Sequence, residues 1–116
     1  MPLVMLSHLV NVLVAGTVAL MIRRGGTVAD AAFGPDTDAR RILACLYGAI
    51  AALSGVAIAA QPLCPALPVQ IALVLFPLQI LYKLATWPAA GWRSPVVRAN
   101  LAIAGLHAVS LAVLLA

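Results

Sequence analysis

Four apolar runs, each near the ~20 residues a helix needs to cross a hydrocarbon layer, alternate with short polar breaks along this chain. Hydrocarbon offers no partner to a backbone N–H or C=O, so each run must satisfy its own hydrogen bonds as a helix. The expected architecture is all-α, an integral membrane four-helix bundle. Its single transmembrane domain covers residues 1–116, with spans at about 3–22, 39–60, 69–85 and 95–115 and a loop at 23–37.

The cations predict how the spans are threaded. Arg23 and Arg24 close the first run, Arg40 and Arg41 open the second, Lys83 closes the third, and Arg93 and Arg98 lead into the fourth. In an alternating path all seven emerge on one side, the positive-inside pattern. It predicts a cytoplasmic loop at 23–37, with the N-terminus and C-terminus both outside. The expected location is a bacterial inner (plasma) membrane, multi-pass, with membrane lipids as immediate partners. At 65% hydrophobic and 9% charged, the chain has too few polar residues to cover a water-soluble surface. The formal charge of +4 is spread over helix ends rather than gathered in a patch, so no nucleic-acid partner is expected. The first run has no basic segment before it and is read as a retained helix, not a cleaved signal.

Local signals set the expected boundaries. Gly25, Gly26, Gly34 and Pro35 argue against regular structure in the loop, apart from a short turn at 28–33 lying on headgroups. Pro35-Asp36-Thr37-Asp38 places a turn, a cap and acidic groups at a helix start. Three prolines in 61–68 make a stiff turn that holds the second and third spans antiparallel. Pro77 is expected to kink the third span near Leu73. Trp87 and Trp92 form an interfacial belt, and Ser94 with Pro95 opens the fourth span. Cys45 is expected to be a small buried hydrophobe, out of disulfide reach of Cys64 in the opposite turn.

Intramembrane polar residues are costly and therefore mark sites. Counting depth along the spans brings Asn11 to the level of His107. His8, Asn11, Asn100 and His107 are thus expected to make a polar contact between the first and fourth helices. The same residues are the candidate ligand contacts, with His8 and His107 as axial haem ligands or quinone anchors. Tyr47, Gln79, Tyr82 and Lys83 form a candidate pocket in the inner leaflet, with Lys83 snorkelling to water. Ala44, Gly48 and Ala52, with Ala51 and Gly55, form the expected packing seam.

No enzymatic activity or metal site is expected. All three acids (Asp30, Asp36, Asp38) fall at the loop, and no nucleophile–base pair or phosphate loop occurs. In length the chain resembles the small multidrug-resistance transporters, but their embedded glutamate has no counterpart here. The glycine-rich and phenylalanine signatures of small fluoride channels are missing too. The leading expectation is a small non-catalytic inner-membrane protein without a cofactor. It would be an accessory or interaction subunit packed against an integral membrane protein partner in a larger complex. The alternative is a homo-oligomeric carrier or channel for a neutral or anionic solute. A third reading is a haem- or quinone-contacting electron-transfer subunit.

Overall fold

A computed structural model describes residues 1–116. It is built from five helices and no strands: α1 Pro2–Arg24, α2 Thr27–Phe33, α3 Asp38–Ala60, α4 Leu67–Ala90 and α5 Pro95–Leu115. All but α2 are long and apolar enough to cross a membrane, at 23, 23, 24 and 21 residues.

The helix ends follow from local chemistry. Pro2 and Pro95 sit in first turns, where a missing N–H costs no bond. The Thr37 hydroxyl accepts from the Arg40 N–H at 3.3 Å and caps α3, and Ser94 accepts from the Val97 N–H at 3.4 Å in α5. Gly25, Gly26, Gly34 and Gly91 end or separate helices at positive φ, where a Cβ would be strained. Two boundaries differ from expectation. The loop at 23–37 contains the two-turn helix α2, because its glycines lie outside that segment and leave Thr27–Phe33 uninterrupted. α4 runs past residue 85 and over Pro88 to Ala90. Pro88 removes only one hydrogen bond there, and the Gly91 N–H closes the helix on the Trp87 carbonyl at 2.8 Å.

The four long helices are antiparallel in sequence order. At one end the start of α1 meets the end of α5, where Ser7 and Ser110 share a hydrogen bond of 2.7 Å, and the start of α4, where His8 reaches the Pro68 carbonyl. The opposite end collects the arginines. Past Asn11, α1 leans onto α3 and parts from α5. A π-helical turn over Asn11–Ala15 widens α1 at this divergence.

The closest seam joins α1 to α3, through Gly16 against Ala51 and Gly55 against Val12; a Cβ on Gly16 would lie 3.7 Å from that of Ala51. The Ala44–Gly48–Ala52 series does not make it. Ala44 is buried, but Gly48 faces open space and Ala52 is exposed. Steps of four residues drift ~40° around a helix of 3.6 residues per turn, so the series rotates off the facing stripe. The buried stripe of α3 mixes threes and fours instead: Arg40, Ala44, Tyr47, Ile50, Ser54, Ala57. Cys45 is exposed beside that stripe rather than buried, and both cysteines are free thiols.

Candidate ligand site within the bundle

Two polar clusters occupy the interior, and they differ in how completely their hydrogen bonds are made. The first ties α1, α3, α4 and α5 together. The His8 Nε2–H donates to the Pro68 carbonyl at 2.9 Å, which leaves Nδ1 of a neutral ring to accept from the Ser54 hydroxyl at 3.1 Å. That hydroxyl accepts from Asn11 Nδ2 at 3.0 Å, and Asn11 Oδ1 accepts from the His107 Nε2–H at 3.1 Å. The directions form one consistent chain, in which His107 Nδ1 is the one nitrogen or oxygen without any partner. Such a network registers helices against one another.

Phe76 lies between the two histidines. Its ring is stacked on His107 at 4.4 Å between centroids and tilted against His8 at 4.8 Å. Both His8 nitrogens are engaged in hydrogen bonds, and the Phe76 ring occupies the space between the two imidazoles.

The second cluster sits toward the arginine end and is incomplete. Lys83 is 3% exposed and Gln79 1%, both on the inward stripe of α4. Lys83 does not snorkel. Its Nζ donates to Asn100 Oδ1 at 3.0 Å and lies over the rings of Tyr82 and Tyr47, 5.0 and 5.7 Å from their centroids. No carboxylate pairs with it; every ion pair in the molecule uses Arg40 or Arg41. Gln79 Nε2 and the Tyr82 hydroxyl are buried without partners. Asn100 is shared between Lys83 and the Thr86 hydroxyl, the latter at 3.5 Å.

Lys83, Gln79, Asn100 and Tyr47 of this cluster border a cavity of about 240 Å³. Its surface is almost wholly apolar, mainly from side chains of α1 and α5, and Lys83, Gln79, Asn100, Asn11 and Tyr47 are the polar residues along it. It opens where α1 and α5 part, beside the exposed Val14 and Ala99. Phe33 and Ala32 of α2 close the arginine end, with Phe33 edge-on to Tyr47 at 6.2 Å. Arg40 holds α2 in place: buried at 4% exposure, its Nη1 donates to Asp30 and to the Gly34 carbonyl. Asp36 is bidentate on Arg41, and this hydrogen bonding holds its carboxyl below the usual carboxylate range.

The structure thus brings Tyr47, Gln79 and Lys83 to one cavity and adds Asn11 and Asn100, which depth along the spans alone groups with the histidines. Tyr82 contacts Lys83 but does not line the space, and His8 and His107 belong to the other cluster. Ser54 and Phe76 were not singled out. Spacing held a signal for both: Ser54 continues the stripe of Tyr47, and Phe76 lies three residues before Gln79. No protein-family model matches this chain, and no curated protein or solved structure is significantly similar to it.

Proposed function

We propose that this chain is a multi-pass integral protein of the bacterial inner membrane, with both termini outside. In this reading it holds a lipid-soluble small molecule beside Lys83 without transforming it. One observation carries the proposal: a buried ammonium, with no carboxylate to neutralise it, on the wall of a cavity open toward the lipid-facing side. An unpaired ion in an apolar interior costs several kcal/mol. The interior keeps that cation, and leaves the neighbouring Gln79 amide unbonded, because a bound molecule completes both. In this reading the side chains around the cavity position a ligand, and the protein acts as a non-catalytic accessory subunit. Its short loops leave the helix faces and α2 for recognition of a larger membrane complex.

The test is mild-detergent purification followed by mass analysis of what stays bound. A small molecule at about one copy per chain, lost when Ala99→Trp plugs the opening, supports this reading, and identical content in wild type and variant refutes it. A second reading, a carrier for an anionic solute, draws on the polar file running from Lys83 through Gln79, Asn11 and His8. It predicts Lys83-dependent uptake into vesicles.

A further inference from the structure

The cavity's open hydrogen-bonding groups are weighted toward donors. Lys83 spends one of its three N–H hydrogens on Asn100, and the Gln79 amide spends neither its Nε2 hydrogens nor its Oε1. Asn11 and Asn100 have each committed their carbonyl oxygen, to His107 and to Lys83, while each Nδ2 retains a hydrogen. What remains on offer is one positive charge and an excess of donors over the two groups that can accept, Gln79 Oε1 and the Tyr47 hydroxyl. The complement is a group with a single negative charge and at least two acceptor oxygens. Resting on the ligand-holding reading above, the geometry points to a single-chain carboxylate amphiphile of the fatty-acid type as the occupant.

Size and shape support that class. A cavity of about 240 Å³ lies below the ~300 Å³ at which pockets enclose whole drug-sized ligands. It seats a carboxylate and its first methylenes; the remaining chain leaves through the opening between α1 and α5. The walls on that route are apolar: Val14 and Val18 on one side, Val96 and Ile103 on the other. One carboxylate oxygen meets the Lys83 ammonium, and the second takes the Gln79 amide hydrogens that have no partner. A dianionic phosphate would bring more charge than one ammonium neutralises. A two-chain lipid would need a wider exit.

Titration of the purified protein with hexadecanoate, hexadecanol and a short-chain benzoquinone, read by native mass spectrometry, tests this. The acid is expected to bind at least about tenfold more tightly than the alcohol, a preference of one decade in Kd. Lys83→Met removes that preference while the protein stays folded, and Lys83→Arg keeps part of it. Should Lys83→Met fail to fold, Ala99→Trp provides the second check by excluding the acid from an otherwise native chain. Equal binding of acid and alcohol, both lost in Ala99→Trp, overturns the carboxylate assignment and leaves the ligand-holding reading standing. Tighter binding of the quinone than of the acid has the same consequence. If none of the three binds, both readings fall together.

Discussion

Lys83 and Ser54 are both buried polar residues, yet removing them should have opposite effects. Desolvation of an ammonium costs several kcal/mol, and cation–π contact with Tyr47 and Tyr82 returns only ~0.5–2 kcal/mol each. Lys83→Met should therefore leave the unliganded protein as stable or more stable, by about 1–4 kcal/mol, in thermal unfolding in detergent. A drop in stability would mean that the lysine is structural. Ser54→Ala strands donors or acceptors on His8 and Asn11 and should destabilise by about 1–2 kcal/mol, with ligand binding retained. At this scale the sequence was partly legible. Counting depth brought Asn11 and His107 to one level, and the structure sets them 3.1 Å apart. The inward aim of Lys83 was missed because a lysine near a helix end snorkels by default. Its spacing of four residues from Gln79 and seven from Phe76 placed it on the buried stripe all the same.

Among the elements, the four long helices could be read from hydrophobic length alone, since apolar runs of that size have one way to satisfy their backbone. α2 could not. A segment of 7 residues has no period to detect, and its place depends on the buried Arg40, which reaches it from the first turn of α3. Asp30→Asn or Arg40→Gln should release α2. Amide hydrogen exchange over residues 27–33 would rise, while helix content by circular dichroism stays within error, because no long helix leans on that ion pair. Asp36 adds a pH term. A depressed carboxyl stabilises fully above the ordinary carboxylate range and loses that contribution as pH falls through its lowered value. Protection in this loop, the exchange rate relative to that of an unfolded chain at the same pH, should therefore be constant from neutrality to about pH 5 and fall only in stronger acid. Packing makes a further distinction. Gly16→Leu, which meets Ala51, should weaken the α1–α3 seam, and Gly48→Leu, which meets nothing within 4 Å, should be tolerated in the same unfolding assay.

For the molecule as a whole, the inside is more polar than much of the outside. His8, Asn11, Gln79, Lys83, Asn100 and His107 are buried, whereas Ile42, Val74 and Leu81 are exposed. Water would penalise both halves of that arrangement; hydrocarbon rewards the second and makes the first useful. The proposed threading puts the arginine end and the proline-rich turn on opposite faces of a bilayer. Its most direct test uses a membrane-impermeant maleimide on intact cells. With Cys45 replaced by alanine, the native Cys64 should be labelled from outside. An Arg93→Cys variant lacking both native cysteines should react only after the membrane is opened. Labelling of both positions from the same side would contradict the account.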